Sequence, residues 1–214
     1  MSTTMEALGE AARGRVITAD DADYDEARAV YNAMHDRSPA AVVQCVDAAD
    51  VMAVVAAARD GSLDLAVRGG GHSVPGFGTV DGGLVIDLSM MNSVSVDPDE
   101  MTARVGGGAT WGDVDHATYP FGLAAPGGII STTGVGGLTL GGGIGYLSRG
   151  CGLSIDNLIS ADVVLADGRQ VRASDEQNQD LFWALRGGGG NFGVVTSFEF
   201  KLHEVGDIVG GPMF

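Results

Sequence analysis

The 214-residue chain is 45% hydrophobic and 19% charged, a balance that supports a buried core and excludes a disordered polypeptide. Its formal net charge of −16, with Lys201 the only lysine, excludes a nucleic-acid binder, which needs a basic stripe to neutralise phosphates. Cys45 and Cys151 are the only cysteines, too few for a disulfide framework and without metal-ligand spacing.

The opening Met-Ser-Thr-Thr-Met-Glu has neither the basic region nor the apolar run of a secretory signal, and no later run reaches membrane-spanning length; a cytoplasmic protein with no membrane contact is expected. Residues 1–37 read as an N-terminal segment. Residues 1–20 lack periodicity and either fray or form a short helix, whereas Tyr24, Ala27, Val30 and Tyr31 lie near helical spacing and predict a helix over 21–34. A first lobe is expected over about 38–97. Within it 41–46 reads as a buried strand, and Asp47 with Asp50 opens a helix carrying Val51, Val54, Val55 and Ala58 before Gly61 stops it. The next strand, 63–67, runs directly into Arg68-Gly69-Gly70-Gly71-His72-Ser73, and this strand, helix, strand order predicts a βαβ-like unit. A strand over 84–88 follows, with the acidic turn Asp97-Pro98-Asp99-Glu100 expected at the lobe boundary.

A second lobe is expected over about 98–206. It starts with a strand at 102–105, and Thr110 with Asp113 has the form of a capping box opening a short helix around 111–119. Residues 122–145 are rich in glycine. Asp167-Gly168, between strands at 162–165 and 170–172, is the strongest hairpin signal in the chain. A helix over 179–186 meets four glycines, 194–202 closes as an alternating strand, and 207–214 reads as the start of a further region. Trp111 and Trp183 are expected in the core, Asp156 and Asn157 are expected to order a loop before a strand, and His35, His116 and His203 have no companions at metal spacing.

The acidic, lysine-poor surface fits a protein dissolved in concentrated salt, where the Debye length falls to about 3 Å at 1 M, or an acidic mesophilic protein from a GC-rich genome. Glycine costs backbone entropy on folding, so 35 of them need a reason, and they are clustered. Small residues after a strand free backbone N–H groups to converge on an anion, which suits a diphosphate at 68–73; the same string also suits a tight turn without a ligand. No Gly-Lys-Ser or Gly-Lys-Thr is present, which excludes a nucleoside-triphosphate P-loop. Gly188, Gly190 and Gly193 match dinucleotide spacing but follow a helix and precede a strand, the reverse of the required context. His72 is the titratable side chain inside the candidate loop, either as a nucleophile or as an ordinary hydrogen-bonded turn residue.

Val67-Arg68-Gly69-Gly70-Gly71-His72-Ser73 resembles the flavin-attachment loop of the berberine-bridge-enzyme-like members of the vanillyl-alcohol oxidase and p-cresol methylhydroxylase (PCMH) superfamily. The resemblance continues in order through Pro126-Gly127-Gly128, Gly134-Val135-Gly136-Gly137, Gly141-Gly142-Gly143-Ile144-Gly145, Arg149 to Asp156-Asn157, and the run from Asp180 to Gly193, covering roughly 38–206. Over this half the chain is also similar to the bacterial 6-hydroxynicotine oxidases. The resemblance implies an α+β, PCMH-type FAD-binding domain of two α/β lobes with FAD between them. It further implies that Arg68, Gly69, Gly70, Gly71 and Ser73 wrap the diphosphate and that His72 is bonded to the 8α carbon of the flavin. Pro126, Gly127, Thr133, Gly134, Gly136, Gly137, Gly141, Gly142 and Gly143 would line the cofactor, with Gly193 and Val194 near the adenosine end.

Two departures from the family pattern matter. Many relatives carry a cysteine that forms a second bond to the ring where this chain has Ile130, so attachment through His72 alone is expected, with Cys151 a packing residue. Relatives also continue into a substrate domain that supplies the catalytic base, so no catalytic residue is assigned. The implied activity is transfer of a hydride from a small organic substrate to FAD, with oxygen as acceptor. The alternatives are a flavin-binding fragment needing a partner chain for the substrate domain, and a glycine-rich phosphate binder with no flavin.

Overall fold

The computed structural model describes residues 2–206, as a mixed α+β architecture built on two main sheets. Along the first, α1 (Ser2–Ala11) leads into β1 (Arg15–Ile17), α2 (Tyr24–Arg28), β2 (Ala41–Gln44), α3 (Ala48–Gly61), β3 (Leu65–Arg68) and β4 (Leu84–Asp87), with strand order β1-β2-β4-β3. β4 lies between β2 and β3 and is parallel to both, which is why Leu-Val-Ile-Asp is buried along its whole length instead of alternating. α3 begins where expected: Asp47 has extended backbone and its carboxylate accepts from the N–H groups of Ala49 and Asp50. Its apolar face, Val51, Val54, Val55 and Ala58, is buried in a cluster with Leu84, Ile86 and Leu88.

Two expectations for the N-terminal segment are corrected. The helix expected over 21–34 ends at Arg28, because residues 29–38 are drawn to the chain after β3, where the N–H of Tyr31 donates to Gly71 O and Arg37 to Gly76 O. β1 carries no sequence signal of its own. It is docked from a distance by Asp50, which is buried and accepts from the backbone N–H groups of Arg13, Gly14 and Val46 at 2.7, 3.0 and 2.9 Å.

The second sheet is antiparallel throughout, in the order β5-β6-β10-β8-β9, from β5 (Val94–Asp97), β6 (Thr102–Gly106), β8 (Leu158–Val164), β9 (Gln170–Ser174) and β10 (Val194–Lys201). The acidic turn at 97–100 is therefore the β5–β6 hairpin connection inside this sheet, and the chain passes between sheets at 88–93. Local chemistry sets its other turns. Gly168 takes φ +86° in the β8–β9 hairpin, and Thr110 and Asp113 exchange both capping-box bonds at the start of α4 (Trp111–Thr118).

A small pair, β7 (Leu123–Ala124) with β11 (His203–Glu204), and three further helices, α5 (Val135–Leu140), α6 (Ser148–Cys151) and α7 (Gln179–Gly188), complete the second lobe. Trp111, Phe182, Phe198 and Phe200 fill its core. Trp183, expected beside them, is 77% exposed: α7 turns Phe182 and Leu185 inward, and the adjacent position points away. The lobes touch through Val164 and Val194, which join the core of α3 and β4. Both cysteines are free; burial, reinforced by Asp50, Asp87 and Asp47, pushes the Cys45 thiol up to about 12, which leaves it an inert packing group. No described helix is long and apolar enough to cross a membrane.

Candidate functional site

Residues 69–83 join the parallel strands β3 and β4 without a helix. Such a crossover usually carries one, and a long connection without secondary structure is more often functional than incidental. This loop is held from two sides. At its base the buried Arg68 donates to Asp87 Oδ2 at 3.0 Å and to the carbonyl of Ala29 at 3.1 Å. Along its length the 29–38 segment acts as a strap. The N–H of Tyr31 donates to Gly71 O, His35 Nε2 donates to Val74 O at 2.8 Å, and Arg37 donates to the carbonyls of Gly76 and Thr79 at 3.0 and 2.7 Å. Ser73 Oγ accepts from the N–H of Phe77 and closes a turn. The side chains of Arg68 and Ser73 thus shape the loop.

His72 sits half-buried where this loop meets the second lobe. Its ring lies flat on that of Tyr31, with centroids 4.1 Å apart and an interplanar angle of 15°, and its Nε2 is 3.0 Å from Thr132 Oγ1. One residue pair explains how the segments come so close. A Cβ on Gly70 would lie 2.3 Å from the backbone nitrogen of Gly134, and a Cβ on Gly134 would meet Gly70 N at the same distance, so neither position has room for a side chain. The partner segment is anchored in its own lobe by Trp111 N donating to Thr133 O and Val135 N donating to Ala109 O.

The remaining glycines divide by what surrounds them. Gly127 leaves space for the Trp111 ring, 2.4 Å from where its Cβ would sit, and Pro126 O accepts from buried Ser154 Oγ at 2.6 Å. Gly143 has φ +83° and Gly193 φ +142°; added Cβ atoms there would fall 2.3 Å from Ser154 Oγ and 2.6 Å from Val164 O. Val194 is buried and pairs with Val164 across the sheet. These positions answer to packing. Gly136 and Gly141 make ordinary contacts near 3.5 Å, and Gly142 reaches nothing closer than Leu153 at 4.0 Å. Gly137 differs from all of them. It lies within α5 with no positive φ, and a Cβ would meet no atom within 4 Å. Neither backbone nor packing requires glycine there, and in a helix it costs about 0.5–1 kcal/mol against alanine. Open space at Gly137 beside a sterically closed Gly70–Gly134 contact is the arrangement a large planar or diphosphate-bearing ligand needs for close approach.

Tyr31 and Thr132 were not among the residues expected at the site. Tyr31 was assigned to the face of a helix that does not extend that far, and Thr132 adjoins the expected Thr133 but carries no motif of its own. Asp156 and Asn157 do order the chain before β8: Asp156 Oδ2 accepts from Leu153 N, and Asn157 Nδ2 donates to the carbonyls of Cys151 and Leu153, both at 2.8 Å. Two shallow hollows elsewhere, one at Phe121, Leu123 and Val205 and one at Glu176, Asn178 and Leu181, include none of the candidate residues.

A family profile described as an FAD binding domain matches residues 39–174. (R)-6-Hydroxynicotine oxidase of Paenarthrobacter nicotinovorans is 42% identical over 193 residues, which make up 90% of this chain and 42% of the relative. The crystal structure of 6-hydroxy-D-nicotine oxidase from Arthrobacter nicotinovorans matches with a TM-score of 0.89 at 41% identity, over 90% of this chain and 43% of that one. Glucooligosaccharide oxidase from Acremonium strictum, whose FAD is 6-S-cysteinyl, 8α-N1-histidyl, matches with a TM-score of 0.88 at 38% identity, over 94% of this chain and 42% of that one. The chain spans less than half the length of these relatives. The two-sheet α+β arrangement is the PCMH-type FAD-binding fold.

Proposed function

This chain belongs to the family of FAD binding domains, and from that premise we propose that it is the flavin half of an FAD-linked oxidoreductase, with FAD between its two lobes, joined through His72. When bound, FAD supplies the redox chemistry, accepting a hydride from a small organic substrate and passing the electrons to dioxygen. The chain's own residues bind and orient. Gly69, Gly70 and Gly71 give the diphosphate a bare backbone, Gly137, Gly141 and Gly142 admit the ring system, and Gly193 with Val194 borders the adenosine end. His72 is the nucleophile of the site. Ile130 offers no sulfur, so the linkage is single.

The observation that carries this reading is the meeting of His72 with Thr132 across the junction of the lobes, together with the open space at Gly137. A relative with histidyl-linked FAD supports the same role for His72. Because the chain spans less than half of its relatives, a second reading is that it binds FAD but needs a further segment or a partner chain for the catalytic base and substrate wall. The test is an absorbance spectrum of protein acid-precipitated, washed and redissolved, for the native sequence and His72→Ala. Flavin that stays only with the native protein is expected; flavin washed out of both would contradict the covalent reading.

A further inference from the structure

If His72 joins the flavin, as the preceding reading holds, one of its two ring nitrogens must be presented to the 8α carbon with its lone pair free. In a neutral imidazole one nitrogen carries the proton and the other the lone pair, and the hydrogen bond made by the first decides which is which. Here Nε2 is 3.0 Å from Thr132 Oγ1, whereas Nδ1 has no hydrogen-bond partner among the described residues. Tyr31 sets the remaining freedom: its ring, 4.1 Å from that of His72 and nearly parallel to it, fixes the imidazole plane. The backbone of Tyr31 is held by its own N–H donating to Gly71 O, next to His72 in the chain. Stack and hydrogen bond together leave the ring one orientation.

We infer that Tyr31 and Thr132 are positioning residues that present Nδ1 of His72 for attachment to the flavin. In this step Nδ1 forms the bond to the 8α carbon, that carbon loses one proton, the Nε2 proton leaves by way of Thr132 to water, and the two released electrons and two protons convert dioxygen to hydrogen peroxide. Before the step the threonine hydroxyl accepts from Nε2–H; after it the same hydroxyl donates to Nε2. A hydroxyl serves both states and a methyl serves neither, which is the reason for threonine at this position.

The experiment uses the full chain made in riboflavin-starved cells, mixed with FAD in air, with covalent flavin followed over time as fluorescence in denaturing gels. Thr132→Val and Tyr31→Ala should slow attachment by about tenfold, the scale of one well-placed hydrogen bond or stack, while Thr132→Ser and Tyr31→Phe restore it and non-covalent FAD affinity holds in all four. NMR of the flavin peptide should show Nδ1 linkage in the native chain and a mixture of Nδ1 and Nε2 linkage in Thr132→Val. Native rates and Nδ1 linkage in Thr132→Val and Tyr31→Ala would overturn the positioning roles and leave the His72 reading standing, as would slowing matched by an equal loss of FAD affinity. No covalent flavin in the native chain would overturn both.

Discussion

The loop at 69–83 and the stretch at 132–143 both carry runs of glycine and meet at His72, yet they answer to different constraints. In the loop, Arg68, Arg37, Asn32 and His35 hold the backbone from outside, and Gly70 is glycine because Gly134 lies against it. The second stretch is held at its start by backbone bonds to its own lobe, Trp111 N to Thr133 O and Val135 N to Ala109 O. Its floor is the pair of bonds from Ile155 N to Gly142 O and Ser154 N to Gly143 O, and its helical Gly137 faces open space. Gly70 is enclosed by the protein and Gly137 is left bare; counting glycines does not separate the two, whereas what a Cβ would touch does, backbone nitrogen at 2.3 Å against no atom within 4 Å.

The largest effect should come from the base of the strapped loop. Asp87→Ala leaves the Arg68 guanidinium buried without its carboxylate, and denaturant unfolding should show a loss of about 3–5 kcal/mol, most of it recovered when Arg68→Met is added. A loss confined to a few tenths would mean that the loop is not anchored there. Next, Gly70→Ala should cost about 1–3 kcal/mol, since its Cβ meets backbone and not a flexible side chain. Gly137→Ala should do the opposite, stabilising the FAD-free chain by about 0.5–1 kcal/mol through helix propensity while weakening FAD binding. If Gly137→Ala left FAD affinity intact, the bare surface would have no ligand to serve.

The smallest effect concerns the floor of the second stretch. His203 Nε2 donates to Asn157 Oδ1 at 2.6 Å, and Asn157 holds the carbonyls of Cys151 and Leu153 just before that floor. Burial, with a smaller push from Lys201, lowers the His203 pKa from its ordinary 6.5. The unfolded chain therefore takes up the proton first, and stability falls as pH drops through 6.5 toward the depressed value. Melting temperatures between pH 7.5 and 5.5 should decline less in His203→Gln than in the native chain; equal slopes would remove His203 from the account.

What the sequence disclosed follows range of interaction. The Asp47 cap, the Thr110–Asp113 capping box and the Asp167-Gly168 hairpin are complete within a few residues and were legible as such. β1 was not, because its docking group, Asp50, lies over thirty residues away. The helix expected at 21–34 failed for the same reason: residues 29–38 obey a loop their own periodicity does not mention. At the candidate site His72 and the glycine runs stood out as motifs. Tyr31 and Thr132 did not, since each acquires meaning only from a ring that folding brings beside it.

The most direct test of covalent flavin at this junction is the mass of the chain's peptides after incubation with FAD, denaturation and trypsin. Cleavage after Arg68 and Arg104 isolates residues 69–104, a peptide with His72 as its one histidine and with no cysteine or tyrosine. The account predicts that this peptide alone gains the mass of one FAD less two hydrogens. The unmodified peptide, or flavin on the peptide that carries Cys151, would contradict it.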